Sequence, residues 1–197
     1  EITLSKQIPE IDKEREAKLL TAFFGMDNAL PPRARLLSPK APGNDGMPLV
    51  FSQEIDPATL DNSDIQITTA DGSVFFPMDA TFRPADEAFE LRTILLIGDY
   101  GDYPDNQPVK VKIVGDMMSR SGQNLKGQEV DVIPLEEGPI ISYAEYFTFT
   151  EDYPYVESGN GCDCPKEETD MVVRAVWAGG VRAVDGKELG EREKNDF

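Results

Sequence analysis

Most of the chain alternates apolar and polar residues with a period of two. Val109, Val111 and Ile113, for example, are separated by two lysines, which predicts a strand with one buried face and one solvent-exposed face. Asp71 and Gly72 stand between two strand-like runs and predict a hairpin turn, because glycine adopts a positive φ without strain. Candidate strands cover residues 34–37, 49–52, 65–69, 74–76, 90–97, 109–114 and 129–133. Short strands separated by Gly, Pro and Asp turns favour an antiparallel β-sandwich.

The segment from Pro9 to Phe24 has a different pattern and predicts the one good helix. Pro9 suits a first helical turn, and the acidic Glu10 and Asp12 suit the positive end of the helix dipole. Gly25 then provides a stop signal. We expect this helix to pack on an edge of the β region or in a groove between domains; the alternative is a helix that binds a partner.

The run Val50-Phe51-Ser52, followed by Ile55-Asp56-Pro57-Ala58-Thr59-Leu60, predicts a strand, a corner and a short turn. A residue before proline is restricted to extended geometry. Asp56 is therefore expected to cap a turn over residues 58–60 and to deliver the chain to the opposite sheet. Its predicted role is structural.

With Ile65-Gln66-Ile67, these phrases resemble the opening of bacterial Ig-like domains of the S-layer type. In that family an apolar strand ending in Phe-Ser is followed by an Asp-Pro corner and a strand that leads into a Gly turn. The segment from Val109 to Gly115, with the loop to Gly122, resembles the closing strand of the family. The resemblance covers about residues 33–135. It implies a secreted or surface-associated adhesion, spacer or accessory module with no activity of its own.

The last third of the chain repeats part of this pattern. Pro139 to Tyr143 resembles a first strand, and Met171 to Trp177 is a further candidate strand. The predicted organisation is an N-terminal helix and linker (1–32), an Ig-like β-sandwich (33–137) and a partial second Ig-like β module (138–197). Half a sandwich cannot bury its own faces. Either the chain is a fragment of a longer protein, or this piece packs on the first domain.

The amino-acid composition excludes several classes of binding partner and of chemistry. With 19 Lys and Arg against 37 Asp and Glu, the formal net charge is −18, which argues against nucleic acid and against anionic membrane surfaces. No apolar run is long enough for a membrane span. Histidine is absent, which removes the commonest general base and most zinc chemistry. We read the N-terminus as a start from which a leader was removed, or as an artificial boundary.

An acidic loop is the best candidate cation site. Asp99, Asp102, Asp105 and Asn106 supply oxygen ligands at short intervals and suit Ca²⁺, although their spacing is not that of an EF-hand. The alternative is a solvated acidic hairpin tip. A second, weaker cluster lies at residues 61–64, with the same alternative.

Two cysteines, Cys162 and Cys164, lie in a Gly-rich loop. Two thiols alone do not make a structural zinc site. We interpret them as a disulfide-forming loop staple in an oxidising compartment, or as partners of cysteines outside this chain. A bridge between residues two apart is strained, and a redox-active pair is the alternative.

An aromatic-rich run contains Tyr143, Tyr146, Phe147, Phe149, Tyr153 and Tyr155. Aromatic faces beside carboxylates stack sugar rings and accept hydroxyl hydrogen bonds, so Tyr146, Tyr153 and Tyr155 are candidate ligand-binding residues. The same alternation also fits a core strand. In a polysaccharide-active enzyme, Glu145, Glu151 or Asp152 would supply the carboxylates.

The sequence as a whole predicts an all-β protein: an Ig-like antiparallel β-sandwich with an N-terminal helix and a second, partial β module. The favoured function is a non-catalytic, extracytoplasmic binding or structural module of a cell-envelope or secreted protein. Its partners would be a protein or glycan at the cell surface and the remainder of the same polypeptide. The alternatives are a polysaccharide-active enzyme or its carbohydrate-binding accessory, and a calcium-stabilised adhesion domain.

Overall fold

The computed structural model describes residues 15–86, 90–148 and 166–179. These residues form ten β-strands joined by loops and short 3-10 turns, with no α-helix in these ranges. The all-β class is therefore confirmed. The strands are β1 (Leu19–Phe23), β2 (Asp45–Phe51), β3 (Ile65–Thr69), β4 (Val74–Phe75), β5 (Asp79–Thr81), β6 (Thr93–Gly98), β7 (Pro108–Ile113), β8 (Glu129–Ile133), β9 (Ile141–Thr148) and β10 (Met171–Trp177).

Eight strands form one sheet in the order β4-β3-β7-β8-β1-β2-β6-β5. Neighbouring strands are antiparallel except β1 and β8, which run parallel with Ala22 opposite Val132 and Phe23 opposite Ile133. The register of β1 against β2 shifts between Leu19 and Thr21. An irregularity of this kind bends a strand, and here it lies in the strand that connects the two halves of the sheet.

The sheet curls so that strands from both halves face one core. Ile94 and Leu96 of β6 pack in the same buried cluster as Ile65 of β3 and Val111 of β7, although these strands are far apart in the sheet order. Apolar burial on this inner face is the main source of stability. The fully buried large side chains are Tyr100, Phe24, Phe51, Met47, Leu49, Ile55, Ile65, Ile67, Ile94, Leu96, Ile97 and Ile113.

The outer face of β6 is covered as well. Leu95 and Ile97 alternate with the inner residues and pack in a second buried cluster with Leu30, Ala34 and Ala41. These three residues belong to the connection between β1 and β2, which includes a 3-10 turn over Pro32–Leu36. The connection therefore lies across the outside of the β2–β6 pair.

Two predicted turns are confirmed. The Asp56 carboxylate accepts the Ala58 backbone N–H at 3.0 Å and caps the 3-10 turn Pro57–Thr59. Gly72 has φ of +84° at the turn that joins β3 to β4, an antiparallel pair.

Two predicted elements are wrong. Residues 34–37 do not form a strand, because Pro31-Pro32 leads into the 3-10 turn and turns Ala34 onto the sheet. The predicted helix 9–24 is contradicted in its last part, where Leu19–Phe23 is β1; residues 1–14 lie outside the described residues. The pairing of this segment with both β2 and β8 outweighs its local helical pattern.

β9 and β10 form a separate two-stranded antiparallel sheet. The prediction of a strand at residues 171–177 is confirmed. A hydrogen bond of 2.7 Å between the Thr21 and Ser142 hydroxyls connects this hairpin to β1. That residues 138–197 begin a second module stays a prediction, since residues 180–197 lie outside the described residues.

Candidate functional site

A groove of about 750 Å³ lies between the outer face of the β2–β6 pair, the 3-10 turn and β10. Its floor includes Pro48 and Leu95, and one wall is formed by Leu36 and Leu37. Leu36 is 73% exposed, which is unusual for a leucine beside a buried cluster. On the other side lie Val176 and Trp177 of β10.

Arginines surround this apolar surface. Among the residues that the structure describes, four arginines line the groove, namely Arg33, Arg83, Arg92 and Arg174, together with one carboxylate, Glu90. In a chain of net charge −18, this is a local reversal of sign.

The four arginines differ in how they are held. Arg92 and Arg174 are bound to Glu145, with nitrogen–oxygen distances of 3.5 and 2.7 Å. Arg83 is 3.5 Å from the Asp86 carboxylate. Arg33 is exposed and makes no hydrogen bond or ion pair with any residue that the structure describes. Its charge is the one most available to an incoming anion.

Glu145 is the centre of a polar network that joins the hairpin to the eight-stranded sheet. Besides Arg92 and Arg174, it accepts a hydrogen bond of 2.6 Å from the Tyr143 hydroxyl. The Arg92 guanidinium lies 4.5 Å from the centre of the Tyr143 ring, a cation–π geometry. The Arg15 side chain donates to the same hydroxyl.

The position of Glu145 bears on the enzymatic alternative. Its carboxylate is occupied by the network, and its side chain is only 21% exposed. The other carboxylates considered for that role, Glu151 and Asp152, lie outside the described residues. In the structure, Glu145 holds β9 against Arg92 and Arg174.

The predicted cation ligands lie in the connection between β6 and β7. Asp99, Asp102 and Asp105 are exposed, and the Asn106 side-chain oxygen accepts the Asp71 backbone N–H at 3.0 Å. No group of three or more His, Cys, Asp or Glu side chains placed to hold a metal ion occurs in residues 15–86, 90–148 and 166–179. The Ca²⁺ site stays a prediction, and a higher melting temperature in millimolar Ca²⁺ would support it.

One buried carboxylate near this loop was not expected from the sequence. Asp45 is fully buried, and its two oxygens accept the backbone N–H groups of Asn28 and Tyr100, both at 2.7 Å. Burial raises the pKa of Asp45, and the charges of Asp27 and Asp99 raise it further, although the two N–H bonds oppose the shift. Asp45 fixes the connection after β1 against the end of β6.

The weaker acidic cluster has a local role. The Asp61 carboxylate accepts the backbone N–H and the hydroxyl of Ser63, both at 2.8 Å, and these bonds lower the pKa of Asp61. Asn62 donates to the Pro77 backbone oxygen at 2.6 Å. These residues shape the turn before β3.

The remaining predicted site residues are mostly outside the described part of the chain. Tyr153, Tyr155, Cys162 and Cys164 all lie there, so the structure does not test the sugar-stacking pair or the disulfide. Tyr146 is described: it lies on β9 opposite Val173 and is 76% exposed.

The groove was missed by sequence reasoning because its residues are far apart in the chain. Arg33 lies in the 3-10 turn and Arg83 lies in a loop, whereas Trp177 ends a strand. One sequence feature could have indicated an apolar surface here. The adjacent leucines Leu36 and Leu37 break the alternation of apolar and polar residues, and Leu36 is exposed.

Comparison of the chain with protein-family models, with curated proteins and with solved structures gives no match. Within the described residues, no helix is both long and apolar enough to cross a membrane. The functional reading therefore depends on the fold and on the groove.

Proposed function

We propose that this chain is a non-catalytic, extracytoplasmic binding or structural module of a cell-envelope or secreted protein, built on an Ig-like sandwich. The observation that carries the proposal is the strand order. With β1 to β8 named A, B, C, C′, D, E, F and G in chain order, one half of the sheet is A-B-E-D and the other is C′-C-F-G. Ig-like sandwiches divide their strands in this way.

Two further features support the proposal. The Asp56-Pro57 corner, which is one of the phrases that carry the resemblance to S-layer-type Ig-like domains, forms a turn, and so does the Gly72 position. The hairpin of β9 and β10 follows directly after the last sandwich strand and is attached through Glu145.

Localisation is the direct test. Cells of the source organism would be separated into cytosol, envelope and medium, and the chain detected with an antibody, before and after external protease. We expect the chain in the envelope or medium. Recovery with a cytosolic marker protein, with full protection from protease, would contradict the proposal.

A second candidate function is glycan binding by the hairpin. The observation that favours it is the exposure of Tyr146 beside Val173, which is 73% exposed; a tyrosine ring on an open face can stack on a sugar. A glycan array with the unaltered chain and Tyr146→Ala tests it. A sugar signal that is unchanged in Tyr146→Ala would exclude this residue, and no signal for the unaltered chain would exclude the function for the glycans on the array.

A further inference from the structure

The groove has the size and lining of a small-ligand site. Its volume of about 750 Å³ lies within the range of roughly 300–1,000 Å³ that is usual for ligand pockets. Apolar side chains form its floor and walls, and the charged groups among them are four guanidinium groups and the carboxylate of Glu90. A ligand that fits must have an apolar body.

The guanidinium groups of the lining favour a negatively charged head group at the other end of the ligand. Arg33 has no partner among the described residues. Arg83 makes one ion pair, at 3.5 Å, with a half-exposed carboxylate and donates a hydrogen bond of 3.4 Å to the Leu36 backbone oxygen. Arg92, which is 7% exposed, has its Nε buried without a hydrogen-bond partner in the described structure. Guanidinium groups bind carboxylates with paired hydrogen bonds, so an anionic head group is complementary to this lining.

The backbone of the floor argues against an extended peptide as the occupant. β2 is paired with β1 on one edge and β6 on the other, and β6 is paired with β2 and β5. The floor is thus a sheet face whose strands have no free edge, so a peptide would find no unpaired strand there to extend. The hydrocarbon tail of a small ligand needs no backbone hydrogen-bond partners.

We propose that this groove binds a small amphiphilic carboxylate, with its apolar body on Pro48, Leu95 and Leu36 and its carboxylate at Arg33 and Arg83. The proposal rests on the proposed binding role and gives it a ligand class. It is tested by binding to the purified chain, so its failure is separate from a failure of the localisation experiment.

The chain contains its own reporter, because Trp177 lines the groove and is the single tryptophan. Three probes with the same tail and different head groups would be titrated below their micelle concentrations: decanoate, decanol and decyltrimethylammonium. We expect decanoate to change the Trp177 emission saturably, with one ligand per chain by calorimetry. Decanol should bind about tenfold more weakly, and the cation more weakly still.

Matched variants separate the charge from the apolar surface. Arg33→Gln should weaken decanoate about two- to fivefold, as expected for an exposed ion pair, and leave decanol unchanged. Arg35→Gln is the control, since Arg35 is exposed on the same 3-10 turn but does not line the groove. Leu36→Ala should weaken both probes, whereas Leu135→Ala, an exposed leucine elsewhere, should weaken neither.

Three results would overturn the proposal. The first is no saturable response of Trp177 to any probe. The second is equal binding of decanoate and decanol with no effect of Arg33→Gln, which would mean that the arginines play no part. The third is a concentration-dependent dimer in sedimentation that Leu36→Asp abolishes, since the occupant would then be a second copy of the chain.

Discussion

Replacement of Glu145 by Gln tests whether the polar network holds the hairpin to the eight-stranded sheet. Glu145 is 21% exposed, and its partners Arg92 and Arg174 have side chains 9% and 18% exposed. Loss of one partner from a fully buried pair destabilises by roughly 3–5 kcal/mol, and exposed pairs contribute little. For this partly buried network we expect a loss of about 2–3 kcal/mol in the free energy of unfolding.

Urea unfolding followed by Trp177 emission is the assay, because this residue ends β10, the strand that carries Arg174. The free energy is obtained by linear extrapolation to water. The double variant Glu145→Gln with Arg174→Gln should lose less free energy of unfolding than the two single variants together. In the double variant Arg174 is gone, so its charge is not left without the Glu145 carboxylate.

A matched control is available in β8. Glu129 also lies between two cations, with Lys110 at 2.8 Å and Lys112 at 3.5 Å, but all three side chains are exposed. Glu129→Gln should therefore change stability much less than Glu145→Gln. Equal changes in the two variants would refute the reasoning, because burial would then not determine the strength of the network.

Three further predictions follow from single contacts. The Asp71 carboxylate accepts the Ser73 backbone N–H at 2.9 Å, and hydrogen bonds of this kind lower its pKa to about 2. The contribution of Asp71 to stability is therefore present above pH 3.8 and is lost as the pH falls towards 2. A midpoint near pH 4 in an NMR titration of Asp71 would contradict this prediction. Tyr100→Phe should leave the melting temperature unchanged or raise it, since the buried hydroxyl has no partner in the described structure and an unsatisfied group is costly; a clear decrease would show that the hydroxyl is bonded. Asp56→Ala removes the cap of Ala58 and should destabilise by about 1 kcal/mol in urea unfolding, whereas no change would show that the turn holds without it.

The parts of the fold that the sequence predicted well are those with local signals. β3 and β8 begin and end at the predicted residues, because period-two patterns bounded by turn residues need no knowledge of the partner strand. The same is true of the Asp56 cap and the Gly72 turn, whose conformations depend on residues within two positions. β6 was placed with its start three residues too early.

The errors arise where distant contacts decide the conformation. Leu19–Phe23 has an apolar pattern compatible with a helix, and it becomes a strand by pairing with β2 and with β8, which lies more than a hundred residues later. The groove is a similar case, since Arg33, Arg83 and Arg174 come together through the curl of the sheet and the position of the hairpin. The parallel pairing leaves no trace at short range in the sequence, and the groove leaves only the run Leu36-Leu37.

The parallel pairing of β1 with β8 has a mechanical consequence. Because these first and last strands of the eight-stranded sheet, in chain order, run in the same direction, tension applied before Leu19 and after Ile133 pulls them past each other along their length. The backbone bonds that connect them, including Phe24 N–H to the Ile133 oxygen at 3.0 Å, are then loaded together in shear. An antiparallel pair pulled from the same end opens one bond at a time. A chain under tension would gain resistance to stretching from this one pair of strands.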